Sequence, residues 1–190
     1  DDPDAVQLTE EGRQILPGTS LGGAIRQRCA KIAQTIADRT GDEGMEKLLE
    51  NMFGPLHDRK KQNKLYAGRV WVSEPALERA ELWLHTRVTI DRFTGGAMEA
   101  RLFETAPAWP GKQGTPGIRV RLELELPSFV RAPGDGTEEE RQAAAAAHEL
   151  RQKRMIGLLV LALKDLATGD LPLGGEVAVG RGVFHATGIK

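Results

Sequence analysis

Residues 118–126 read IRVRLELEL, and this alternation restricts the chain more than any other segment does. Ile118, Val120, Leu122, Leu124 and Leu126 fall on one side of an extended backbone, and Arg119, Arg121, Glu123 and Glu125 fall on the other. Successive strand side chains point to opposite faces, so this is an antiparallel strand with one wet face. Its apolar face needs a cover, and the sequence supplies helices. The longest is expected to run from Thr137 to Gly169. Thr137 and Glu140 form a capping box, Glu138 and Glu139 suit the positive helix N-terminus, and Gly169 is a C-terminal stop. The alanine run at 143–147 then reads as helix former rather than low-complexity tail.

A second helix begins within the stretch ILPGTSLGGAIRQRC, residues 15–29. Thr19 or Ser20 is its expected N-cap, with Pro-Gly turning the chain just before. Leu21, Ile25, Cys29, Ile32 and Ile36 recur at helical spacing, while Arg26, Arg28 and Lys31 take the other faces. A short helix near Met45–Met52 runs into FGP. AGRVWVSE predicts a strand with Val70 and Val72 on one side and Trp71 on the other. HTRVTIDRFTGGAMEARLFETAPAW predicts a hairpin or extended arm, and LPLGGEVAVGRGVFHATG a glycine-punctuated loop leading into a strand. Helices alternating with antiparallel strands predict an α+β sandwich with the helices on one face. A ferredoxin-like core needs β-α-β-β-α-β, and everything but the first strand is found. That strand would precede residue 1. With no initiator methionine either, the expectation is a segment of a larger protein.

The bulk numbers narrow the function classes. At 190 residues, 40% hydrophobic and 28% charged, the chain can bury a core without staples. A net charge of −1 argues against a generic basic coat for nucleic acid but leaves room for a basic groove. Cys29 is the only cysteine, so no intramolecular disulfide forms and a reducing, cytoplasmic compartment fits best. The longest apolar run, IGLLVLAL, is short and bounded by charges, so no membrane role is expected.

The chemistry-bearing candidates are mostly weak when taken singly. Gly18, Gly22 and Gly23 at a helix start expose backbone N–H groups to an anion, and Thr19 and Ser20 add hydroxyls. No Gly-Lys-Ser/Thr follows, so this is not a nucleotide-binding P-loop. Read alone, the glycines are better explained by close packing of a capped helix. Gly174, Gly175, Gly180 and Gly182 surround Arg181, a pattern an irregular hairpin also gives. Arg59, Lys60, Lys61 and Lys64 could track phosphates, although a solvated loop is the ordinary reading, and Arg151, Lys153 and Arg154 have the same status. His57, His85, His148 and His185 are scattered without metal-ligand spacing. Asp1, Asp2 and Asp4 open the chain, where frayed acidic termini are common.

Together these pieces resemble one family. ILPGTSLGGAIR resembles the PGSSLKGxxR signature of the RAMP superfamily, the repeat-associated proteins of CRISPR systems. NMFG at 51–54 resembles the LFG that follows it, and AGRVWVSEPAL resembles the strand after that. HTRVTIDRFTGGAMEARLFE resembles the xxxIDRxTxxAxxxxLF segment, and LPLGGEVAVGRGVF the terminal LGGxxSxGYGxV loop. Order and spacing are similar to the Cas7-type backbone subunit of type III effectors, the Csm3-like group, across essentially the whole chain.

The resemblance implies one RAMP-like domain over residues 1–190, with a ferredoxin-like, RRM-like palm and a thumb-like arm at about 85–110. It implies contact with a guide RNA (crRNA) backbone through Thr19, Ser20, Gly22, Gly23 and Arg26, and through Gly180, Arg181 and Gly182. It implies a thumb that wedges into the guide–target duplex, with Arg87, Arg92, Phe93 and Met98 as candidates. Free N–H groups, hydroxyls and guanidinium groups bind phosphate without reading bases, which suits a protein that holds any guide sequence. The implied partners are crRNA, target RNA, neighbouring Cas7-type subunits or fused domains, and a Cas10-type large subunit with Cas5-like and small subunits. DDPDAV resembles the family's IDSPV cleavage loop, which makes Asp1 or Asp2 the catalytic and metal-holding candidate, with Mg²⁺ or another divalent cation. Two departures stand out. The lysine of SLKG is Gly22 here, and the aromatic of GYG is Arg181. Two other readings compete with guide binding: a guide-processing endoribonuclease using His85 or His57, and an inert bridging scaffold.

Overall fold

Helix α1 (Gly18–Thr40) carries a strict apolar stripe, and that stripe organises half the protein. The computed structural model describes residues 2–42, 44–56, 65–110, 117–128 and 137–186. It is mixed α+β, as expected, and divides into two compact units. One comprises Thr19–Val72 and Leu122–Lys190; the other comprises Asp1–Gly18 and Ser73–Arg121.

The first of these is the helical unit. Leu21, Ile25, Cys29 and Ala33 of α1 are buried at spacings of four, one side of a 3.6-residue period. Ala33 holds the place expected of Ile32, which is half-buried together with Ile36. The expected N-cap also shifts. The helix begins at Gly18, so Thr19 and Ser20 lie in its first turn, just behind Pro17. Proline fits there because its φ is already helical and its missing N–H is not needed. Helix α2 (Met45–Phe53) buries Met45, Leu48 and Met52. It ends at Gly54, whose φ of 79° requires a glycine and where a Cβ would lie 2.9 Å from the Tyr66 carbonyl oxygen. Strand β4 (Val70–Val72) pairs antiparallel with a strand at Leu122–Leu124. Its Val70 and Val72 are half-buried and Trp71 is exposed, which is the predicted alternation.

The long strand expected over 118–126 is confined to Leu122–Leu124, because its ladder is only as long as the three-residue partner. Helix α3 (Glu138–Thr168) is capped as read from the sequence. Thr137 accepts from the Glu140 N–H, the Glu140 carboxylate accepts from the Thr137 N–H, and Gly169 is left-handed. Its Met155, Leu158, Leu159 and Ala162 are buried, and the Cys29 thiol donates to the Leu158 carbonyl at 3.6 Å. Burial pushes that thiol up to about 11, so it stays neutral in the core. Arg28 and Asp165 tie α1 to α3 at 2.6 Å. The expected terminal strand does not form among the described residues. Instead Val177–Val179 is a 3₁₀ turn, and the Leu173 N–H donates to the Gly182 carbonyl.

The second unit is β-rich and is built around a hairpin. Strand β5 (Ala80–Leu82) leads into β6 (His85–Ile90), which pairs antiparallel with β7 (Ala97–Ala106). Strand β8 (Ala108–Pro110) returns to pair with β5, and β9 is the Leu122–Leu124 strand of the helical unit. The N-terminal segment lays β1 (Ala5–Val6) parallel to β7, and β2 (Thr9–Glu10) pairs with β3 (Arg13–Gln14) as a small hairpin. These short N-terminal pairings have no alternating apolar pattern, so the sequence did not announce them. Ile15 bridges Ala76, and the Leu77 N–H donates to the Gln14 carbonyl, which closes the unit. Its buried described residues are few: Pro75, Thr105 and Ala106.

Candidate nucleic-acid interface

In the helical unit, the candidate surface is the first turns of α1. Thr19, Ser20 and Gly23 are exposed, and Gly22 and Arg26 are half-buried. The first turn holds no acidic residue, so nothing in it competes for its free N–H groups or offsets the positive end of the helix. Neither helical glycine is demanded by the protein's own packing. A Cβ on Gly22 would make an ordinary 3.6 Å contact with Val72, and one on Gly23 would meet nothing within 4 Å among the described residues. Each glycine costs a helix interior roughly 1 kcal/mol relative to alanine. Arg26 has a second role that the sequence did not disclose. Its guanidinium donates to the Phe53 carbonyl at 3.1 Å and the Gly54 carbonyl at 2.8 Å, capping the C-terminal end of α2.

The C-terminal loop belongs to the same unit. Gly180 and Gly182 have φ of 81° and 73°, conformations that favour glycine. A Cβ on Gly182 would collide with the Leu173 main chain, so this glycine is structural, whereas one on Gly180 would meet nothing within 4 Å. Arg181 forms an ion pair with Glu176 and its side chain is only 12% exposed. The basic stretch at Arg59, Lys60, Lys61 and Lys64, with His57, lies outside the described residues. Arg154 pairs with Asp42 at 2.8 Å and Lys153 with Glu149 at 2.6 Å.

In the β unit, the hairpin tip is the most organised of the predicted sites. The Asp91 carboxylate accepts from the Phe93 N–H at 2.8 Å, and the Gly95 N–H donates to the Asp91 carbonyl at 2.8 Å. This Asx turn explains why Asp-Arg-Phe-Thr-Gly closes the hairpin. The Phe93 N–H holds the Asp91 carboxyl below its ordinary value. The contact is therefore complete above that ordinary value and is lost as pH falls through the lowered one. Phe93 is 85% exposed, with the Arg92 guanidinium 4.9 Å from its ring centroid. A stacked guanidinium–phenyl pair at a turn offers a flat face and a charge together. Met98 is exposed beside the turn, and Arg87 is half-buried further down β6.

Asp2 is exposed, and Asp1 lies outside the described residues. The next acid, Asp4, accepts from the Glu104 N–H at 2.8 Å. This places the N-terminal acids at the base of the hairpin, since Ala5 lies opposite Thr105 and Ile90 opposite Ala97 near the tip. The eight-residue interval along β7 spans roughly 27 Å, so the structure does not bring Asp2 and Phe93 together. Among the described residues no group of three or more His, Cys, Asp or Glu side chains converges as a metal cage. A divalent cation at Asp2 would need RNA phosphate oxygens to complete its shell, as Mg²⁺ commonly does.

Sequence reading missed an aromatic ladder in this unit. Trp109 stacks with both Trp83, 6.0 Å away at 25°, and His85, 5.5 Å away at 13°. The signal was available, because these are two of only three tryptophans in the chain, Trp83 just before the predicted arm and Trp109 at its end.

A mixed α+β protein with a hairpin arm and an acid-free helix N-terminus is compatible with the ferredoxin-like class of RNA-associated cores. The model of the RAMP superfamily matches residues 3–185, and the chain belongs to that superfamily. Membership brings a CRISPR-associated RNA-binding role, in a superfamily whose proteins bind crRNA within multi-subunit complexes. No curated protein matches the chain. No helix among the described residues is long and apolar enough to cross a membrane.

Proposed function

We propose that this chain is a Cas7-type, Csm3-like backbone component that holds crRNA in a type III CRISPR effector. The observation that carries this reading is the start of α1. Gly22 and Gly23 weaken the helix without being needed by internal packing, and they sit among exposed hydroxyls and unopposed N–H groups. That arrangement suits close approach of a sugar–phosphate backbone. The Arg92–Phe93 pair at the hairpin tip suits insertion against stacked bases. The five ordered motifs support the backbone subtype.

Target-RNA cleavage is proposed for Asp2, with Asp1 as its neighbour. An exposed carboxylate there would share a divalent cation with the RNA phosphate, and the cation would supply charge neutralisation at the scissile group. The further partners proposed are target RNA, adjacent Cas7-type subunits, and the Cas10-type, Cas5-like and small subunits of such an effector.

The test is to purify the native assembly containing this chain and sequence the RNA that accompanies it. Repeat-derived RNAs with a uniform 5′ end are expected, and loss of all RNA already at low salt would remove the guide-binding role. In the same assembly, Asp2→Ala, made together with Asp1→Ala, is expected to abolish metal-dependent target cleavage while leaving the RNA content unchanged.

A further inference from the structure

We propose that the Trp83–Trp109–His85 ladder is a stacking platform for an unpaired base of the bound RNA, with Trp83 as the contact face. This rests on the RNA-binding reading and adds to it a subsite away from the hairpin tip. The three rings lie near parallel rather than edge to face, with centroids 6.0 and 5.5 Å apart. An offset stack of this kind continues by adding another flat ring to its open end. Trp83 is the exposed ring of the three, at 47%, whereas Trp109 and His85 are half-buried. The ladder is not the centre of an enclosed core, since the buried residues of this unit among those described are Pro75, Thr105 and Ala106, none of them a ladder ring.

The polar edges of the rings point the same way. The indole N–H of Trp109 is buried and meets no acceptor among the described residues, so this ring is held through its faces. The Trp83 N–H donates to the Glu81 carboxylate at 3.4 Å, which occupies its edge and leaves the face as the available surface. In an RNA ligand the nucleobase is the flat aromatic partner, and stacking accepts every base, which suits a protein indifferent to guide sequence. A protein partner covering the same ring is the competing occupant.

The experiment uses the full chain and a single-stranded RNA carrying one 2-aminopurine, moved position by position. With the wild type at low ionic strength, 2-aminopurine fluorescence is expected to be quenched at a defined position. Trp83→Leu, which keeps an apolar side chain but no ring, should lose that quenching and weaken binding about 5- to 150-fold. Trp83→Phe should retain most of both. Equal losses in the two variants would overturn the proposal, because the ring face would then not be what matters. Unchanged affinity and quenching in Trp83→Leu would overturn it while leaving RNA binding intact. A wild-type chain that binds no RNA would overturn both this inference and the reading beneath it.

Discussion

Gly23 shows how a single residue separates folding from function. The helix loses stability by having it, and no neighbouring atom among the described residues requires it. Gly23→Ala is therefore expected to raise the unfolding free energy by about 1 kcal/mol, a rise of roughly 2–4 °C in Tm for a chain of this size. If an RNA backbone approaches this surface, the same variant should bind RNA about fivefold more weakly, the equivalent of one lost hydrogen bond. Calorimetry and a filter-binding titration read the two effects separately. Arg26 points the other way. Its charge and helical position were legible in the sequence, and the family resemblance makes it a candidate RNA contact, but its bonds to the Phe53 and Gly54 carbonyls were not legible. They span 27 and 28 residues, a separation no local pattern encodes.

Among the elements, α3 was the most legible because its boundaries are set by local chemistry. A capping box and a left-handed glycine act within four residues of the helix ends, and both form as read. What surrounds the helix is less local. Residues 138–150 are exposed apart from half-buried Arg141 and His148, so about 20 Å of helix extends beyond the buried positions that start at Met155. This portion depends on its cap more than the buried part does. Thr137→Ala should cost about 1 kcal/mol locally. Amide hydrogen exchange is expected to speed up over residues 140–150 and to stay unchanged over Met155–Ala162. Uniform acceleration along the whole helix would contradict this division. Strand length, by contrast, was misjudged at 118–126. Alternation gives facing and period, but only the partner's length decides how many residues join a ladder.

Across the whole molecule the two units differ in what holds them together. The helical unit has interlocking buried side chains from α1, α2 and α3, together with Leu173. The β unit has ladders, an aromatic stack and three buried residues among those described. Exposed Leu84, Val88, Ile90 and Leu102 add to its apolar surface. Local opening is cheapest where few apolar contacts are buried. Exchange measured on the free chain is therefore expected to show the amides of β6 and β7 opening well before those around Ile25 and Leu158. Bound RNA should protect the hairpin more than the core of the helical unit, and protection confined to that core would contradict the placement of the interface.

The sequence by itself determined the α+β class, the period and facing of α1, β4 and β9, both ends of α3, the hairpin arm, and the family. Each depends on interactions within a few residues or on an ordered string of motifs. The tertiary structure decided which of the expected contacts are already committed inside the protein: Arg26 to the end of α2, Arg181 to Glu176, Gly182 against Leu173. It also assembled the Trp83–Trp109–His85 ladder. These depend on residues far apart in the chain meeting in space, and burial and pairing of that kind arise only once the elements have packed.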